Sequence, residues 1–115
     1  MLAPENRLVA TRDFDAVYKN GRFFSFESVA LKVAKNGLET TRVGLSVGLK
    51  FSPRAVDRNR AKRWLREIAR KNLGEMKTGF DVVIMLKKES VFPTLQTLEQ
   101  SFRGAILRGK LLIKS

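Results

Sequence analysis

Apolar positions along this chain recur with two different periods, and the switches between them mark its elements. The stretch TRDFDAVYKNG places Phe14, Val17 and Tyr18 at i, i+3 and i+4 and halts at Asn20-Gly21. That pattern predicts a short amphipathic helix over about 12–19, with Thr11 as its cap. The period then falls to two. In SVALKVA, Val29, Leu31 and Val33 alternate with Ala30, Lys32 and Ala34; in RVGLSVGLK, Val43, Leu45, Val47 and Leu49 alternate with Gly44, Ser46 and Gly48. Both read as half-buried strands, joined by the turn chemistry of KNGLETT. Phe23, Phe24 and Phe26, clustered after Gly21, are expected to pack the first helix onto the sheet.

Helical spacing returns from residue 57 to about 73, preceded by Pro53. Ala61, Trp64, Leu65, Ile68 and Asn72 fall along one side, so Trp64 is expected to seat this helix in the core and Asp57 to cap it. GFDVVIMLKK is apolar on both faces from Val82 to Leu86, as a strand covered on both sides must be. Pro93-Thr94 opens a last helix carrying Leu95, Leu98, Phe102, Ala105 and Ile106 at core spacing and ending near Gly109. With no internal repeat and no linker, residues 1–115 are expected to form a single α/β (α+β) domain.

Charge changes this picture of an ordinary small domain. The net charge is +12, and residues 41–71 alone hold ten Lys/Arg against two acids, a net of +8. Such a concentration repels itself and calls for a polyanionic partner, nucleic acid before an acidic membrane. On most helices basic residues are balanced by acids four positions away, but between Arg58 and Lys71 seven Lys/Arg face one acid, Glu67. Arginine dominates there, and its planar fork grips phosphate bidentately. The first turn of the same helix offers unpaired N–H groups to an anion. Arg54, Arg58, Asn59, Arg60, Lys62, Arg63, Arg66 and Arg70 are the candidate nucleic-acid-binding residues.

Composition also excludes chemistry. There is no cysteine and no histidine, which removes disulfides, Cys/His metal sites and Ser/Cys-type triads. The acids show no metal-ligand spacing, so no catalytic residue and no metal ligand is assigned to the chain itself. MLAPENRLVATRDF lacks a basic region followed by an apolar core, so no signal peptide is expected, and no run is long enough to span a membrane. The polar-side positions of the strands, Ala30, Lys32, Ala34, Gly44, Ser46 and Gly48, are mostly small. They suit either close helix packing or a shallow floor for an extended nucleic-acid strand. Tyr18 is the better candidate for stacking on a base, whereas Phe14 reads better as core.

Arg42 through Arg70, with RVGLSV, Lys50 and RAVDRNRAKRWLRE, resembles the protein subunit of bacterial ribonuclease P. FDAVYKNG resembles that family's first helix and GFDVVIMLKK its last strand, in the same order. The resemblance implies a two-layer sandwich of order α-β-β-β-α-β-α with a left-handed crossover into the last strand. It implies an endoribonuclease subunit for tRNA 5′ maturation whose catalysis and magnesium ions (Mg2+) reside mainly in the RNA. It further implies that the basic helix binds ribonuclease P RNA, while Phe14, Tyr18, Ala30 and Lys32 line a cleft for the precursor tRNA 5′ leader. A cytoplasmic protein, one copy per RNA, with no membrane partner, is expected. Two departures stand out: Lys32 replaces an often aromatic cleft residue, and Leu49-Lys50 replaces a basic pair. A ribosomal-type RNA-binding assembly protein is the alternative reading.

Overall fold

The period-two segments pair into one mixed sheet of strand order β1-β2-β4-β3 in the computed structural model, which describes residues 2–88 and 92–112. The elements run α1 (Thr11–Asn20), β1 (Arg22–Phe26), β2 (Val29–Lys35), β3 (Arg42–Ser46), α2 (Ala55–Asn72), β4 (Phe80–Leu86) and α3 (Leu95–Arg108). This is the order expected from the resemblance, in a single α+β domain. β1 and β2 form an antiparallel hairpin, β2 and β4 are antiparallel, and β3 and β4 are parallel neighbours. Parallel neighbours need a long connection, and α2 supplies it.

Side-chain alternation sorts the sheet into two faces. Val29, Leu31, Val33, Val43, Val82 and Ile84 join Leu65 and Ile68 of α2 and Leu98, Phe102 and Ile106 of α3 in the main core. The reverse face carries Val83 and Ala34, against which α1 packs Val17 and Phe14. The sheet and the α2/α3 pair thus make the two principal layers, and α1 crosses part of the other face. β4 is central and sandwiched, which is why Val82, Val83 and Ile84 are all fully buried. Leu2 enters the main core and Leu8 the α1 cluster, so the N-terminal segment wraps the outer edge of β3. Leu8 N donates to Val43 O at 3.0 Å there, closing part of an otherwise unpaired strand edge.

Several sequence expectations are corrected by this arrangement. Phe23, Phe24 and Phe26 do not pack α1; they form β1. Phe24 and Phe26 lie under α3 against Gly109 and Gly104, whereas Phe23 points to the other face. β3 ends at Ser46, so Leu49 lies in the following turn and is exposed instead of facing the core, although Val47 is buried. Thr11 is inside α1, whose N-cap is Ala10 without a side-chain cap bond. α2 begins at Ala55, directly after Pro53 and Arg54, so Asp57 sits in its first turn and accepts from Ser52 Oγ (3.1 Å) without capping. Trp64 is half-buried at the core's margin, edge-on to Phe92 at 6.0 Å, while Ala61, Leu65 and Ile68 fill the interior. Leu95 is exposed because Thr94 caps α3 through a reciprocal box with Thr97, turning the first residue outward.

Candidate nucleic-acid interface

α2 is oriented by its buried stripe, and that orientation decides which cations reach solvent. Asn59, Arg60, Arg63, Arg66 and Arg70 are exposed, as is Arg54 at the N-cap; Arg58 and Lys62 are half-buried on the flanks. Arg58 donates to Ser52 O at 3.0 Å, fixing the turn before the helix, and Arg54 lies 3.9 Å from Asp57. Arg60 sits 5.7 Å above the Phe92 ring, a cation–π contact that aligns its guanidinium. Arg70 is held by Glu67 through its Nε at 3.1 Å, which raises the Arg70 pKa and lowers that of Glu67, the shared hydrogen bond being the main cause in each. Lys71 reaches Glu99 of α3. Among the described residues Arg58, Arg60, Lys62, Arg63 and Arg66 make no salt bridge. Five cations within about two and a half helical turns therefore present unneutralised charge.

A groove of about 510 Å³ runs beside this helix around the β3 edge. Its floor is Leu8, Phe14, Val43, Gly44 and Leu45, and Arg7, Lys62 and Arg66 stand at its rim. The groove brings the leader-cleft candidate Phe14 together with two candidates from α2. Phe14 itself is half-buried, its ring seated over Gly44, where any Cβ would come within 2.5 Å of Phe14 Cζ. At this point the small sheet residue serves helix packing.

The remaining cleft candidates sit farther along α1. Tyr18 is exposed, with its ring 6.3 Å from that of Phe14. Lys32 is half-buried and donates from Nζ to Tyr18 O at 3.0 Å, tying β2 to the last turn of α1. Ala30 is only 5% exposed, so it can shape the floor but offers little contact of its own. Strand register places Phe23, Lys32, Val83 and Gly44 side by side in one row across the sheet.

Arg42 holds α1 in this place. Its Nε and Nη2 donate to both carboxylate oxygens of Asp81 at 2.8 and 2.7 Å, and its Nη1 to Asp13 Oδ2 at 3.3 Å. β3, β4 and α1 are joined through one guanidinium, whose pKa is raised chiefly by the Asp81 hydrogen bonds. Asp13 and Asp81 are thus engaged with arginine. Among the described residues no group of three or more His, Cys, Asp or Glu side chains could hold a metal ion.

Three contributors escaped the sequence reading. Arg7 gave no signal, because its place depends on the N-terminal wrap. The Arg42 pair with Asp81 spans 39 residues. Phe23 did leave a trace, since Phe24 and Phe26 alternate with Phe23 and Ser25, but three aromatics in four positions obscured the period.

The Ribonuclease P family model matches residues 2–110. A ribonuclease P protein component of Thermotoga maritima is 41% identical over 83 residues, covering 72% of this chain and 70% of that protein. One from Pseudanabaena is 34% identical over 113 residues, 97% of each. The solved structure of the RNase P protein from Thermotoga maritima superposes with a TM-score of 0.77 at 34% identity, over 89% of this chain and 96% of that one.

Proposed function

The chain belongs to the ribonuclease P protein family, and from that premise we propose that it is the RNA-binding subunit of a ribonucleoprotein that cleaves the 5′ leader from precursor tRNA. The observation that carries this reading is the run of α2 cations without acid partners, opening onto a groove shared with Phe14. Folded RNA crowds phosphates together, and a rigid array of guanidinium groups relieves their repulsion at that point. Arg54, Arg58, Asn59, Arg60, Lys62, Arg63, Arg66 and Arg70 are assigned to ribonuclease P RNA, with Arg70 reached only after Glu67 yields it. Phe14, Tyr18 and Lys32 are assigned to the leader, and Ala30 to the floor beneath it.

The protein's part in the reaction is binding and orientation. Holding the leader in a fixed cleft converts a floppy extension into a positioned one, so the scissile bond meets the RNA active centre more often. Magnesium belongs with the RNA in this reading, and no step is assigned to a metal on this chain. One protein per RNA, acting in the cytoplasm, is the simplest assembly for a single basic domain.

Cleavage of precursor tRNA by a bacterial ribonuclease P RNA at low magnesium, with and without this protein, tests the proposal. Correct 5′ cleavage that appears only with both components is the expected result. RNA binding without any stimulation would overturn it in favour of a ribosomal-type assembly protein. Activity of the protein alone would place catalysis in the chain.

A further inference from the structure

Ten aromatic residues occur in the sequence, and all of them lie in described segments. Only Tyr18 and Phe23 are exposed, Phe23 to 57%. They come from different elements, yet they meet on one face. Phe23 lies directly opposite Lys32 in the β1–β2 register, so both side chains leave the sheet on the α1 side. Lys32 Nζ is bonded to the carbonyl of Tyr18. Tyr18 and Phe23 are thus both neighbours of Lys32, whose ammonium group retains donors for an anion.

Neither packing nor strand pairing explains Phe23. Its neighbours Phe24 and Phe26 fill the α3 side, each with an arginine over its ring (Arg22 at 5.3 Å and Arg108 at 5.2 Å). Phe23 belongs to neither core cluster. A large apolar ring held outward by an edge strand, beside a fixed cation and a second ring, matches what single-stranded RNA requires: faces for two bases and a charge for the phosphate between them.

We infer that Phe23 is a second stacking residue for the precursor's single-stranded 5′ leader, working with Tyr18 across the Lys32 ammonium. The inference rests on the leader-cleft reading above and extends that cleft from the α1 side to the β1 edge. The row from Gly44 to Phe23 crosses three strand spacings, about 14 Å, so a leader seated on Phe14 and Tyr18 needs further nucleotides to reach Phe23.

The experiment compares binding by the reconstituted holoenzyme of a precursor tRNA with a long leader, one with a single-nucleotide leader, and mature tRNA. Phe23→Ala should weaken the long-leader precursor about tenfold and leave the other two unchanged. Phe23→Trp should restore binding, whereas Phe23→Leu, which keeps an apolar strand former but no ring, should not. Equal binding by Phe23→Leu and the parent would reduce Phe23 to apolar packing and overturn the inference. An unaffected Phe23→Ala beside a weakened Tyr18→Ala would remove Phe23 and keep the cleft. Unaffected binding in both would sink the cleft reading itself. Equal losses for all three ligands would show an effect on the fold or on the RNA subunit, and would also overturn the assignment.

Discussion

Gly44 shows how one missing side chain sets the geometry of the cleft. A Cβ there would lie 2.5 and 2.8 Å from Phe14 Cζ and Cε1 and 3.1 Å from Leu8 Cβ, so the ring occupies the space a side chain would take. Gly44→Val should therefore lift Phe14 and the start of α1, lowering stability by about 1–3 kcal/mol as overpacking does. Urea denaturation would read the loss. Long-leader binding should fall with it, while affinity for the RNA subunit holds, because α2 packs on the other face; an unchanged urea midpoint would contradict the close seat. The small residues of this sheet face were legible in the sequence. Their purpose was not, because helix packing and an open floor both favour small side chains. Arg42 was illegible for a different reason: nothing local links it to Asp81, 39 residues away, or to Asp13.

At the scale of the element, α2 was the most legible part of the chain, because its buried stripe repeats within a single segment. Ala61, Leu65 and Ile68 are buried as the spacing demands, and only Trp64 deviates, packed edge-on to Phe92 at the margin. β1 was least legible, since its two faces are both aromatic and only the hairpin with β2 distinguishes them. Between Arg58 and Lys71 of α2, Glu67 is the one acid among seven cations and ties up Arg70. Glu67→Gln should release that guanidinium and strengthen binding to the RNA subunit, with a salt slope steeper by about 0.7–0.9 as one more phosphate is neutralised. Titration of binding against salt would show an unaltered slope if Arg70 stays away from RNA. Acidification should act in the same direction. Glu67 has a lowered folded pKa, so its pairing with Arg70 is present above the ordinary carboxylate range and is lost as pH falls through the lowered value.

For the whole molecule, the two faces do different physical work, and salt should separate them. Of the +12 net charge, +8 falls in residues 41–71, on and before α2, with five α2 cations making no salt bridge among the described residues. If all five meet phosphates, the logarithm of RNA-subunit affinity should fall with the logarithm of salt at a slope of about −3.5 to −4.5. The α1 face instead offers two exposed rings and one ammonium, already steadied by the Tyr18 carbonyl. Stacking is nearly insensitive to ions, so only Lys32 should contribute there, with a slope of roughly −0.7. The ratio of precursor to mature tRNA affinity should thus change little over a salt range that dissociates the protein from its RNA. Measuring both slopes on one preparation, with the holoenzyme kept assembled by excess RNA subunit for the second, would test the division directly. A leader preference that collapses as steeply as assembly would mean the leader is held by the α2 arginines and not by the aromatic face. The groove around the β3 edge, where Phe14 meets Lys62 and Arg66, is where such an exchange of roles would begin.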